Sequence, residues 1–149
     1  MAALNFEHYF FESFSFRENV IFDGRVEKLN VSFFPHVDIT ILEKLDTAIV
    51  TMKSRIGNEK ETACPFLAEV TLTGIFKVSF DKNDDRDKAM ADSLITQNTI
   101  AILFPYLRSF ISDMTLRTNK YPAFILPPFN IVEMLEENAS VTVHRVTGE

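Results

Sequence analysis

Residues 66–80 alternate almost without error. Phe66, Ala68, Val70, Leu72, Phe76, Val78 and Phe80 fall on one side; Glu69, Thr71, Thr73, Lys77 and Ser79 fall on the other. A period of two sustained over this length fits a strand with one buried face and does not fit a helix. Leu67 and Ile75 are the apolar exceptions on the second side. Gly74 in mid-strand predicts a bulge or a close backbone approach. Three other stretches share the period. Residues 6–16 place Phe6, His8, Phe10, Phe14 and Phe16 on one side and Glu7, Tyr9, Phe11, Ser13 and Ser15 on the other. Residues 31–42 bring Val31, Phe33, Val37, Ile39 and Ile41 together, with Pro35 denying a ladder bond and predicting an edge or a bulge. Ala48, Val50, Met52, Ser54 and Ile56 share a face of a third strand, which ends in a loose hairpin turn at Gly57 and Asn58.

The period then changes. Leu103, Leu107, Phe110, Ile111 and Met114 form the stripe of one helical face, with Pro105 predicting a kink near its start. Asn119 suits a left-handed C-cap, and Pro122 stops the helix. Phe124, Ile125 and Leu126 read as an extended crossing. Asn130 and Glu133 form a capping pair for a second helix, with Phe129 and Met134 as a staple. Residues 17–28 read as a loop anchored by Val20, Ile21 and Phe22, and residues 81–88 as a charged loop entering a short helix that carries Met90 and Leu94. Strands followed by helices predict an α+β domain over residues 1–149: a four-stranded antiparallel sheet with two helices on one face. Ser140 to Val146 alternates valine with Ser, Thr and His, the pattern of an extra C-terminal strand.

Composition excludes several functions. The chain has 15 Lys and Arg against 21 Asp and Glu, a net charge of −6, with no basic block to neutralise phosphates, so nucleic acid is not an expected partner. A single cysteine, Cys64, excludes an internal disulfide, and the absence of a basic and apolar leader leads to a cytoplasmic expectation. No apolar run approaches a membrane span. His8, His36 and His144 have neither metal-ligand spacing nor a nucleophile partner in Cys64. Asp81, Asp84, Asp85 and Asp87 lack the glycine and closing glutamate of a calcium loop. The expectation is a protein without cofactor, metal or catalytic machinery. What remains is an aromatic excess, 15 Phe and 3 Tyr, of which Tyr9, Phe11, Phe34, Phe104 and Tyr106 fall off the assigned apolar faces. Oligomerisation or an exposed binding groove accounts for such a surplus.

Five short motifs, in order, resemble one family. They are the aromatic-x-Pro at Phe33 to Pro35, F-L-x-E-V at Phe66 to Val70, G-I-F at Gly74 to Phe76, I-L-F-P-Y at Ile102 to Tyr106, and Tyr121-Pro122 followed by P-x-N at Pro128 to Asn130. Together they are similar to SecB, the protein-export chaperones. The resemblance implies an ATP-independent chaperone that holds unfolded precursor polypeptides in an aromatic groove for the Sec translocase. It implies a homotetramer, a dimer of dimers. It assigns the groove to Phe33, Phe66, Phe76, Phe104, Tyr106 and Phe124, with Phe66 and Phe76 equally suited to the core. It also places SecA docking on Leu67 and Glu69, read as exposed on the polar face. Ser13 and Arg17 stand where the family tends to carry acids, which argues for weaker SecA binding or another partner. The family continues as helix and loose tail, so residues 139–149 are either a loose tail or the extra strand. Two alternatives stay open: a SecB-like chaperone dedicated to an antitoxin or other single partner, and a carrier of a small apolar ligand.

Overall fold

The computed structural model describes residues 1–120, 122–127 and 130–147. Tyr121, Pro128 and Phe129, with the motif and staple roles read for them, lie outside the described residues. The sheet comprises β1 (Ala3–Glu18), β2 (Phe33–Leu42), β3 (Thr47–Gly57), β4 (Phe66–Ser79) and β5 (Val141–Val146), in the spatial order β1-β4-β3-β2-β5. The helices are α1 (Asp85–Ser93), α2 (Thr99–Arg117) and α3 (Ile131–Glu137). This is the expected α+β architecture with the extra strand present. The first four strands pair antiparallel, and β5 joins β2 in parallel, so the sheet is mixed.

The alternation of β2, β3 and β4 survives intact. Val37, Ile39, Ala48, Val50, Met52, Leu72 and Phe76 are fully buried on the face that meets the helices. Pro35 lies before the stretch where β5 pairs, which begins at Val37, so its missing donor falls on the uncovered half of β2. Gly74 marks a close approach. A Cβ there would stand 2.7 Å from Leu103 Cδ2, so the absent side chain lets α2 sit down on the sheet.

β1 departs from plain alternation. Its register to β4 slips between Phe6 and His8 and again between Phe11 and Ser13, leaving Glu7 and Glu12 as extra residues. Each slip exchanges the two faces. The residues turned to the helices are Leu4, Phe6, Tyr9, Phe11, Phe14 and Phe16, as their ring contacts with Phe76, Tyr106, Phe110 and Phe66 show. His8 and Phe10, expected beside Phe6, face the other way and touch each other. Glu12 lies over that outer face, where its carboxylate accepts from Thr73 Oγ1 at 2.7 Å, and Thr73 in turn meets Thr51 Oγ1 at 3.1 Å.

Helical structure is nearly continuous from Asp85 to Arg117, with a π-helical turn at Leu94–Asn98 joining α1 to α2. Helix α2 runs through Pro105 unbroken; Ala101 and Pro105 are both exposed, so the carbonyl deprived of its donor can face water. Ile100, Leu103, Phe104, Leu107 and Ile111 are buried. Asn119 takes the left-handed conformation, φ 56°. The crossing that follows is tied down twice: Phe124 N donates to the buried Thr115 hydroxyl at 2.8 Å, and Arg108 Nε to the Leu126 carbonyl at 2.9 Å. Asn130 Oδ1 caps α3 by accepting from Glu133 N.

The anchor of the loop after β1 is not the expected one. Val20 is 93% exposed, and the buried residue is Asn19, whose amide donates to the carbonyls of Glu61 and Cys64. Further bonds, Asp23 N to Thr62 O and Asn30 N to Ala63 O, fasten residues 19–30 along residues 61–65.

Candidate functional site: an aromatic groove between the first strand and the long helix

A helix turns 100° per residue, so side chains two apart point to nearly opposite flanks. Phe104 and Tyr106 use that geometry. Phe104 is buried and turns toward β2, its ring 6.0 Å from Phe33. Tyr106 turns toward β1, 4.3 Å from Tyr9 and 5.7 Å from Phe6. One helical turn on, Phe110 stacks on Phe11 at 4.2 Å and meets Phe14 edge-on at 5.1 Å. The result is a band of rings along the seam between β1 and α2: Phe6, Tyr9, Tyr106, Phe11, Phe110 and Phe14. It is partly open to water, with Tyr106 at 36%, Tyr9 at 37% and Phe14 at 60% exposure. Beside it runs the outer edge of β1, whose backbone pairs, among the described residues, with β4 alone.

The structure does not bring the six expected groove residues into one place. Tyr106 lies in the β1 band. Phe76 is fully buried beneath Phe6, and Phe66 is buried between Phe16 and Phe124; both are core. Phe33 and Phe104 pair on the opposite flank of α2, and half-buried Phe124 belongs to the Phe66 cluster. Residues 6–16 hold Tyr9, Phe11 and Phe14, and their aromatic density was the available signal; the bulges that aim them have none. Phe110 was legible as part of the helical stripe. Leu67 needs correction as well: it is 2% exposed, at the end of the sheet where residues 19–32 are bonded to residues 57–65, while Glu69 is exposed.

No charged chemistry is built into the band. Asp23 is held below the usual carboxylate range by the Arg25 guanidinium, and Asp87 by the backbone N–H of Asp81, and neither lines the groove. Among the described residues no three His, Cys, Asp or Glu side chains converge as a metal would require. Cys64 is buried, its thiol donating to the Phe66 carbonyl and accepting from Asn58 N. Elsewhere, a cleft of about 530 Å³ at the end of the sheet is lined by Ile41, Phe80 and Ile95 and by Lys82, Lys88 and Arg145. It shares no residue with the ring band.

Residues 29–141 match the family described as preprotein translocase subunit SecB. The chain belongs to the SecB family. Its curated relatives include an uncharacterized protein of Methanocaldococcus jannaschii, 30% identical over 135 residues that cover 89% of this chain and 83% of that protein. The protein-export protein SecB of Nitrosomonas europaea is 38% identical over 94 residues, 63% of this chain and 52% of that SecB. The SecB of Neisseria meningitidis is 30% identical over 111 residues, 74% and 63% of the two chains. The matched stretch thus spans between half and two thirds of these bacterial SecB proteins. Among solved structures, a SecB-like chaperone of Mycobacterium tuberculosis in complex with a peptide from an antitoxin superposes with a TM-score of 0.57 at 16% identity, covering 85% of this chain and 87% of that one. That likeness establishes the SecB-like fold. The family consists of chaperones rather than enzymes. No helix among the described residues is long and apolar enough to cross a membrane.

Proposed function

We propose that this chain is an ATP-independent chaperone that holds unfolded polypeptides along the ring band between β1 and α2. The observation that carries the reading is the half-exposed band itself, set beside an outer strand edge in a chain of the SecB family. Apolar burial, worth about 25 cal/mol per Å², attracts extended segments with little side-chain discrimination. The β1 edge adds backbone pairing. Half-buried Phe33, over buried Phe104 on the opposite flank of α2, and half-buried Phe124 beside Phe66 offer further, separate contact points. Exposed Leu116 and Met90 on the helical layer favour a homotetramer, a dimer of dimers, working in the cytoplasm without cofactor.

The test is suppression of aggregation of a slowly refolding client without nucleotide, by wild type and by Tyr106→Asp. The carboxylate loses solvation in the band without gaining a partner, so binding should weaken while the far-ultraviolet spectrum stays native. Undiminished client binding by that variant refutes the band as the site. Light scattering that gives a monomer at micromolar concentration refutes the tetramer.

The client route has two readings. SecA docking at Glu69 makes this an export chaperone. The dedicated-partner reading is favoured by the burial of Leu67 and by Arg17, which forms an ion pair with Glu59 at 2.8 Å where the family tends to carry an acid. The Mycobacterium tuberculosis relative, solved with an antitoxin peptide, illustrates such a partner. Titration with SecA from the same cell decides: tight binding lost in Glu69→Lys supports export, and no binding by either form supports the dedicated partner.

A further inference from the structure

β5 is attached to the sheet more by its backbone than by its side chains. Of its residues Val141 packs against the core, while those from Val143 to Val146 are exposed. It is held by the parallel ladder from Val37↔Val141 to Leu42↔Val146, by Val37 N donating to Ser140 O at 2.8 Å, and by Arg145. The Arg145 guanidinium lies 2.8 Å from Asp92 and 3.7 Å from Glu43, and all three side chains are about half exposed, where ion pairs contribute little. The turn that delivers the strand puts Ala139 at φ 51°, a left-handed conformation that costs an L residue. The β2 residues beneath, Val37, Ile39 and Ile41, belong to the central core shared with α2 and α3. Withdrawal of β5 therefore uncovers a rigid backbone edge without dismantling the core.

We propose that β5 is a built-in occupant of the β2 edge, and that residues 37–42 of β2 dock an extended client segment running parallel to β2 in its place. The edge prefers what β5 itself presents: apolar β-branched residues alternating with small hydroxyl residues, as in Val141, Thr142 and Val143. A cation four residues after the first apolar position recovers the Asp92 and Glu43 contacts of Arg145. This rests on the chaperone reading and adds a second, gated surface to the ring band.

When the competent state is a minor one, roughly 0.1–10% populated, apparent affinity falls by that fraction. A chain ending before Ser140 should therefore bind carboxymethylated, permanently unfolded lactalbumin at least about tenfold tighter than the intact chain. It should also bind a labelled peptide of residues 140–147, which the intact chain excludes. The full-length pair Thr40→Cys and His144→Cys, neighbours in register and off the core, pins β5 when oxidised. Client binding should drop on oxidation and recover on reduction. Equal client affinity of the truncated and intact chains, both folded, overturns the proposal, as does affinity unchanged by oxidation; if truncation prevents folding, the cysteine pair decides alone. Client binding by none of the forms defeats the chaperone reading itself, whereas strong binding that is indifferent to β5 defeats the gated edge only.

Discussion

Replacing Gly74 by alanine tests how closely α2 sits on the sheet. The new Cβ would meet Leu103 Cδ2 at 2.7 Å, Leu103 Cδ1 at 2.9 Å and Phe76 Cε1 at 3.0 Å. Leu103 and Phe76 are both fully buried, so neither can move into solvent. Overpacking of this kind costs about 1–3 kcal/mol. Against it, alanine recovers about 0.5–1 kcal/mol of the backbone entropy that glycine loses in a strand. The expected net cost is about 0–2.5 kcal/mol. Leu103→Ala alone should cost about 2–5 kcal/mol, because it leaves a cavity at the same spot. In the double variant the methyl group occupies part of that cavity, so the two costs should fall short of their sum by about 1 kcal/mol or more. Urea denaturation of the four proteins at one fixed protein concentration measures all the terms, the concentration being held because assembly shifts apparent stability. A stabilising Gly74→Ala, or additivity within about 0.5 kcal/mol, would show that the strand and helix are not in hard contact there. Because Tyr9 is the register partner of Gly74 on β1, the same variant should also disturb the ring band and weaken client binding.

Two further outcomes follow from local geometry. Ala139→Gly relieves the left-handed strain before β5 and should stabilise the protein by about 0.5–1 kcal/mol in the same urea assay, with a loss of stability counting against the strain. Asp87 accepts from the backbone N–H groups of Asp81 and Ala2, and its carboxyl titrates below the usual value of 3.8. A depressed folded-state value contributes stability that is present above the unfolded value and lost as pH falls through the folded one, so Asp87→Asn should flatten the acid limb of the stability profile below about pH 4.

The sequence was most legible where one local rule acted alone. The period of two in β2, β3 and β4 gave the core face, because each of those strands has one side against the helices and keeps its phase. Gly74, the left-handed Asn119 and the Asn130 cap were legible because each answers a backbone requirement of a single turn or contact. Leu67 was misread because alternation assigns it a face but carries no record of what lies at that end of the sheet, where residues 19–32 bond to residues 57–65. The parallel direction of β5 is also non-local, since alternation looks the same whichever way a strand runs. The expected groove residues lie apart for a rotational reason: Phe104 and Tyr106 are close in sequence and on opposite flanks of one helix. The π-helical turn before α2 carries neither Pro nor Gly to mark it.

The two slips in β1 behave like a frameshift and its suppressor. Inward residues are even-numbered at Leu4 and Phe6, odd-numbered at Tyr9 and Phe11, and even-numbered again at Phe14 and Phe16. A reading in constant phase is therefore right at both ends of the strand and inverted in the middle. Glu7 and Glu12 are the residues left over at the slips, so removing either would restore plain pairing with its neighbours on the faces they already occupy. Without both, Phe6, Tyr9, Phe11 and Phe14 would keep their β4 partners and still face the helices, and His8 and Phe10 would still face away. Deletion of Glu7 or Glu12 should therefore leave the ring band in place and remove only the local bend and added twist of the strand.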